Sequence, residues 1–238
     1  MSNIINLPDS GKAVIAGDTH GDLQASRLVV RQYSKKNYYI VFLGDYLDRG
    51  EKSRENIDFL LSAQDEYPRL ILLAGNHEMN AIEPVSPSDF WDSLNEEDTL
   101  KYSDTFKNFP LAVSGNGFVA VHAGLPDLPD IQDWNKIKPG DENWSRLLWA
   151  DFRDKDGECL GELCGRMKLG RDYFYRIMNA IGKNVLIRSH DPYAPERMFN
   201  NRCLTIFTSA SYGKSRKIAI VDLGREIKSA DDVELISF

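Results

Sequence analysis

Cysteine is scarce in this 238-residue chain, and the three present, Cys159, Cys164 and Cys203, are an odd number. A sparse, odd set excludes a disulfide-stapled scaffold and points to a reducing compartment, so a cytoplasmic location is expected. Cys159 and Cys164 stand as C-x4-C, but no second Cys or His pair follows to complete a zinc site; thiols that pack or face solvent are the plain reading. Long apolar runs are missing too. The longest are strand-sized, such as residues 38–43, which excludes a membrane-spanning helix. The N-terminus, MSNIINLPDSGK, has neither the basic nor the apolar region of a signal peptide. Positive charge is in short supply: 29 Lys and Arg against 36 Asp and Glu leave a net charge of −7. That removes the broad basic surface a nucleic-acid partner requires. No repeat, low-complexity tract or flexible linker divides the chain, so residues 1–238 are read as one domain.

What recurs instead is a short apolar run that stops at a polar cluster. Lys12–Ala16 leads into Gly17-Asp18-Thr19-His20, and residues 38–43 lead into Gly44-Asp45. Residues 70–74 lead into Gly75-Asn76-His77, Phe118–Val121 into His122, and residues 185–187 into Arg188-Ser189-His190. The runs are continuous rather than alternating, as in strands buried on both faces. Helical spacing lies between them, in Ala25, Val29, Val30 and Tyr33, in Ile57, Leu60 and Leu61, and in Phe174, Ile177, Met178 and Ile181 before Gly182. The alternation predicts an α/β fold with parallel pairing. Residues 204–208 and 218–223 look like strands joined by a Ser/Gly/Lys-rich turn, which predicts a hairpin. Ligands of open α/β sheets collect at the carboxyl ends of strands, so the polar clusters are expected to share one region.

The chain has four histidines, and His20, His77, His122 and His190 all lie at or just past the end of such a run. With Asp18, Asp45 and Asn76 beside them, packing is a poor explanation and a shared metal site a good one. Mixed imidazole and carboxylate ligands without thiolate suit Mn, Fe or Zn rather than Ca or Mg. Seven candidate side chains exceed what one ion needs; two ions roughly 3.5–4 Å apart, bridged by one carboxylate, use them. Two such cations against two ligand aspartates leave a net positive site that attracts a phosphoryl group despite the acidic chain.

Gly17-Asp18-Thr19-His20-Gly21, Gly44-Asp45-Tyr46-Leu47-Asp48-Arg49-Gly50 and Gly75-Asn76-His77-Glu78 resemble the phosphoprotein phosphatase family of serine/threonine protein phosphatases. Weaker similarity continues through Leu147-Leu148-Trp149-Ala150-Asp151, Gly165-Arg166 and Ile187-Arg188-Ser189-His190. The resemblance implies a metallophosphoesterase-like, four-layer α/β fold: a two-sheet β-sandwich core flanked by helices. It implies two divalent metal ions, manganese first among them. Asp18, His20 and the bridging Asp45 then hold the first ion, and Asp45, Asn76, His122 and His190 the second. His77 is the implied general acid, oriented and charged by Asp48. Arg49 and Arg166 are the implied phosphate grips, with Tyr212 a third contact. The implied substrate is a phosphoprotein or phosphopeptide; no regulatory subunit is inferable.

Chemistry agrees with those roles. A serine alkoxide leaves poorly without a nearby acid, and guanidinium forks neutralise equatorial phosphoryl oxygens. No nucleophilic cysteine lies in a basic loop. Other readings stay open at single positions. Arg188 suits a phosphate contact or an ion pair, Tyr212 a site contact or a turn, and Phe90, Trp91 and Leu94 suit helix packing better than a substrate platform. Residues 83–109, acidic and aromatic, are left open as a lid. His122-Ala123-Gly124 replaces the family's His-Gly-Gly, Asp191-Pro192 follows His190, and residues 209–214 lack a family cysteine. A diadenosine tetraphosphate hydrolase shares most of these motifs, and His-Ala-Gly leans that way. Glu78 after His77 and Leu-Leu-Trp-Ala-Asp lean toward the protein phosphatases. An inactive scaffold is disfavoured, because every implied ligand, His77 and Asp48 are present.

Overall fold

The continuous apolar runs become strands with two buried faces, and residue parity decides which core each side chain enters. In the computed structural model, which describes residues 2–163 and 165–238, the first strands are β1 (Ile4–Asn6), β2 (Lys12–Ala16), β3 (Tyr39–Phe42) and β4 (Leu70–Leu72). Next come β5 (Ala112–Gly115), β6 (Phe118–Val121), β7 (Asp151–Phe152), β8 (Cys159–Leu163) and β9 (Arg166–Leu169). The last are β10 (Val185–Arg188), β11 (Arg197–Met198), β12 (Cys203–Thr205), β13 (Lys217–Asp222) and β14 (Glu234–Ser237). The helices are α1 (Leu23–Ser34), α2 (Ser53–Glu66), α3 (Asp89–Asp92), α4 (Glu96–Phe106), α5 (Glu142–Trp149) and α6 (Arg171–Ala180). Cys164, half of the C-x4-C pair, lies outside the described residues; Cys159 is exposed and Cys203 buried.

One sheet runs β14-β13-β2-β3-β4, a second runs β1-β5-β6-β10-β12-β11, and a small third runs β7-β9-β8. Strands β2, β3 and β4 are parallel, with α1 and α2 as the crossovers. Ala13 and Ile15 of β2 join Val41, Ile187, Leu204 and Val221 in the core between the two large sheets. Val14 and Ala16 of the same strand face the other way, against Val29, Val30 and Tyr33 of α1. Each large side chain so buried contributes about 1.5–3 kcal/mol, which is why both parities of these strands are apolar. Helix α6 ends as its sequence predicts, with Gly182 at φ +65° just beyond it.

The expected C-terminal hairpin does not form. Strand β12 pairs with β10 and β11 in the six-stranded sheet, whereas β13 pairs with β2 and β14 in the five-stranded one. The chain crosses between sheets at Phe207 and Thr208, where Lys217 N donates to Phe207 O at 2.6 Å and Thr208 Oγ1 to Lys217 O at 2.7 Å. The two strands touch at that crossing and then diverge. Strand β14, whose residues are mostly exposed or half-buried, and the small sheet, whose β8 is almost wholly exposed, carry too little apolar signal to be read in advance.

Residues 83–109 are anchored by a few aromatic side chains while most of the segment is exposed or half-buried. Phe90, Trp91, Tyr102 and Phe106 are buried and stack edge to face or in parallel with one another. Packing is therefore what the first two residues do, as their spacing suggests. They also reach the site: Phe90 N donates to Asp48 Oδ1 at 2.7 Å, and Trp91 Nε1 donates to His77 O at 2.8 Å.

Candidate metal centre

Five strand ends deliver the site. Asp18 and His20 follow β2, Asp45 and Asp48 follow β3, Asn76 and His77 follow β4, His122 follows β6, and His190 follows β10. All eight side chains are buried. The backbone that carries them is bent to the purpose. His20, Asp45, Asp48, Arg49 and His190 all have positive φ, between 42° and 67°. A non-glycine residue held in that left-handed region costs on the order of 1–3 kcal/mol and persists only where its surroundings over-determine it. The surroundings here leave no slack. A Cβ on Gly75 would stand 2.3 Å from Asp45 N, and one on Gly50 would stand 2.0 Å from His20 O.

Hydrogen bonds fix the imidazole tautomers. His20 Nδ1 lies 2.7 Å from Leu47 O and His122 Nδ1 lies 2.9 Å from Leu43 O, so each Nδ1 donates and each Nε2 keeps its lone pair. His122 Nε2 then faces Asn76 Oδ1 at 3.1 Å and His190 Nδ1 at 3.0 Å. Asp45 sits between the two clusters: Oδ2 is 3.7 Å from His20 Nε2, and Oδ1 is 3.5 Å from His122 Nε2. Asp18 Oδ2 is 3.6 Å from His20 Nε2. These separations are too long for good hydrogen bonds and suit ligand atoms that share a cation.

Electrostatics favours the same conclusion. Burial, with Asp45 second, pushes the Asp18 carboxyl up to about 6, and burial also raises Asp45. Burial pushes His122 down to about 4 and holds His20 and His190 well below the ordinary imidazole value, helped by His77 and His122 respectively. Neutral imidazoles and crowded carboxylates form a donor set that lacks positive charge. Asp18 Oδ2 and His190 Nε2 are buried without a hydrogen-bond partner among the described residues. Divalent cations satisfy these orphaned atoms, so the residues fit the dinuclear group expected from the sequence.

His77 behaves differently from the other three histidines. Its Nδ1 lies 2.6 Å from Asp48 Oδ2. Burial opposes charge on this ring, but Asp45 and Asp48 outweigh it and raise the imidazole above its ordinary value. Geometry alone groups His20, Asp45 and His77 as one set of potential ligands and Asp45, His122 and His190 as another. A ring whose pKa is raised and whose Nδ1 is engaged by Asp48 is better suited to hold a proton than to give a lone pair, and Asp18 offers the alternative carboxylate beside His20.

Around the rim, Arg49 is exposed and its guanidinium lies 5.5 Å over the Tyr212 ring, while Tyr212 OH stands 3.1 Å from His20 Nε2. Arg166 is half-buried. Its Nη2 donates to Asp151 Oδ1 at 2.7 Å, and its charge contributes to the lowering of His190. Arg188 is fully buried and reaches no closer than 4.0 Å to Asp151. Its guanidinium nitrogens have no hydrogen-bond partner among the described residues, and its charge contributes to the lowering of His122 and His190.

Sequence reasoning missed the framework residues. The Glu78 carboxylate accepts from Asp45 N at 2.8 Å, Tyr46 N at 2.8 Å and Gly75 N at 2.9 Å, tying the β3 and β4 ends together. Burial and Asp45 push its carboxyl up to about 8. Ser189 Oγ accepts from Asp18 N at 2.9 Å, and Thr208 Oγ1 accepts from Gly17 N at 2.8 Å, tying the two sheets together. Glu78 and Ser189 stood in quoted motifs, Gly75-Asn76-His77-Glu78 and Ile187-Arg188-Ser189-His190, but with no role assigned to either side chain.

With this geometry in hand, the calcineurin-like phosphoesterase profile matches residues 11–193, from the start of β2 to just past His190. The chain belongs to the calcineurin-like phosphoesterase family. Among curated relatives of this phosphoesterase, serine/threonine-protein phosphatase T of Schizosaccharomyces pombe is 28% identical over 98% of this chain and 52% of that protein. Serine/threonine-protein phosphatase 5 of Homo sapiens is 30% identical over 87% of this chain and 44% of that protein. The chain spans about half the length of the first curated relatives it matches. Among solved structures, a protein serine/threonine phosphatase from Saccharomyces cerevisiae with similarity to human phosphatase PP5 superposes with a TM-score of 0.84 at 22% identity, covering 100% of this chain and 84% of that one. A cold-active protein-tyrosine phosphatase from a psychrophilic Shewanella gives 0.61 at 15% identity, over 100% of this chain and 82% of that one. Both likenesses show the fold. No helix among the described residues is long and apolar enough to cross a membrane.

Proposed function

We propose that this phosphoesterase hydrolyses phosphoserine and phosphothreonine monoesters in proteins, with two divalent cations, manganese foremost, held by Asp18, His20, Asp45, Asn76, His122 and His190. The observation that carries the reading is the position of Asp45, one carboxylate oxygen turned toward each imidazole cluster. When bound, the cations supply a water of lowered pKa and neutralise the phosphoryl oxygens.

The chain's own residues do the rest. Arg49 and Arg166 grip the phosphoryl group, and Tyr212 adds a hydroxyl beside His20. Arg166 is held toward that task by Asp151. His77, kept protonated by Asp48, gives its Nε2 proton to the leaving serine oxygen as the P–O bond breaks. Phe90 N and Trp91 Nε1 hold the His77–Asp48 pair in place, so the proton is delivered from a fixed position. The named activity of the curated relatives supports serine and threonine over other phosphate esters. A cytoplasmic location and a phosphoprotein partner belong to the same reading.

The test is hydrolysis by metal-stripped protein with Mn, Mg, Zn or Ca restored singly, on a phosphoserine peptide, an aryl phosphate and diadenosine tetraphosphate. The reading expects Mn to restore turnover of the first two. Turnover of the dinucleotide alone overturns the substrate assignment, and no turnover with any ion overturns the enzyme.

A further inference from the structure

Beside the metal centre a groove of about 630 Å³ opens past His20, Gly21 and Gly50 and continues along α1. In a chain of net charge −7, this groove carries the opposite sign. Arg27, Arg31 and Lys52 line it, all three exposed. None of them has a carboxylate within salt-bridge distance among the described residues, although most other arginines around them do, such as Arg54 on Asp98 and Arg216 on Asp22. The acids of the groove are Asp22 and Glu51. Asp22 is already neutralised: its carboxylate accepts from Arg216 Nε at 2.8 Å and Nη2 at 3.0 Å, and from Ala25 N at 3.1 Å as the N-cap of α1. Three free cations thus face one free carboxylate.

We infer that this groove receives the residues flanking the phosphorylated side chain and selects polypeptides that carry Asp or Glu there. The inference rests on the phosphoserine reading above and deepens it. Two features shape the preference. Arg27 and Arg31 are four residues apart on α1 and project from one face, with Cβ atoms roughly 5–6 Å apart. An extended peptide advances about 3.3 Å per residue, so carboxylates at alternate positions match the two guanidinium groups. The Arg27 guanidinium also lies 5.7 Å from the centre of the Phe59 ring, which limits its wandering. Exposed ion pairs are individually weak and screened by salt, so the preference is several-fold per pair and about tenfold in sum.

The test compares kcat/KM for three phosphoserine peptides: one flanked by alanine, one with Asp at alternate positions on the amino side, and one with Asp at alternate positions on the carboxyl side. The wild type is expected to favour one acidic peptide about tenfold over the alanine peptide at low salt, with the ratio falling toward one at high salt. The double variant Arg27→Glu/Arg31→Glu is expected to erase or invert that ratio while aryl phosphate hydrolysis stays unchanged. The milder Arg27→Gln/Arg31→Gln pair should fall between the two. If both acidic peptides are no better than the alanine peptide, or the double variant slows all substrates alike, the groove does not select carboxylates. If the metal-loaded protein hydrolyses neither aryl phosphate nor any phosphopeptide, the phosphatase reading itself fails and takes this inference with it.

Discussion

The site has two poles that differ in almost every physical respect. At the proposed metal pole, Asp18, His20, Asp45, Asn76, His122 and His190 are all buried, with the tautomers of His20 and His122 set by main-chain carbonyls and His20, Asp45 and His190 held at positive φ. At the rim, Arg49 is exposed, Arg166 and Tyr212 are half-buried, and each is held by one or two contacts. The metal pole is over-determined, so small changes there cost much. The rim is loosely held, so substitutions there should tune binding and leave the chemistry in place.

The widest gap between the poles should appear with His77→Ala. It is expected to lower kcat by about 100-fold or more with both metals retained, because the proposed general acid is lost and none of the proposed ligands is. Unchanged turnover of phosphoserine peptides would remove His77 from the mechanism. Glu78→Ala strikes the framework instead. Three buried N–H groups lose their acceptor, and at about 1–3 kcal/mol each the variant should lose at least about 3 kcal/mol of stability in a denaturant titration. A midpoint within error of the wild type contradicts the tie between strand ends. Arg166→Ala sharpens the contrast: about tenfold in KM with little change in kcat, only partly rescued by Arg166→Lys, since an ammonium cannot replace a bidentate fork. Tyr212→Phe should be smallest, a loss of a few-fold, because the ring and its stacking with Arg49 remain. A larger loss from Tyr212→Phe than from Arg166→Ala inverts the order of contacts at the rim.

The two poles were also unequally legible in the sequence. A strand end that positions a metal ligand needs a particular residue type at a particular offset, and Gly17-Asp18-Thr19-His20 or Gly75-Asn76-His77 shows it. Strands β2, β3, β6 and β10 were readable for a related reason, since burial on both faces makes them apolar apart from Lys12 and Arg188 at their ends. Strands β8 and β14, exposed or half-buried, lack that signature. The false hairpin shows the limit of local pattern. Two apolar runs around a Ser/Gly turn look the same whether the chain returns to its own sheet or crosses to the next. What settles the matter is pairing with β2 and β10, far away in sequence. The bracing roles of Glu78, Ser189 and Thr208 were hidden in the same way, because residues of these types face solvent far more often than they brace a buried loop.

Metal stoichiometry tests the central claim most directly, measured on the purified protein and on Asp45→Asn after equilibration with Mn and removal of free ion. The account predicts two ions per chain in the wild type and loss of both, together, in the variant, because one carboxylate faces both imidazole clusters. A single ion in the wild type, or full retention of two by Asp45→Asn, would contradict a centre built around that bridge.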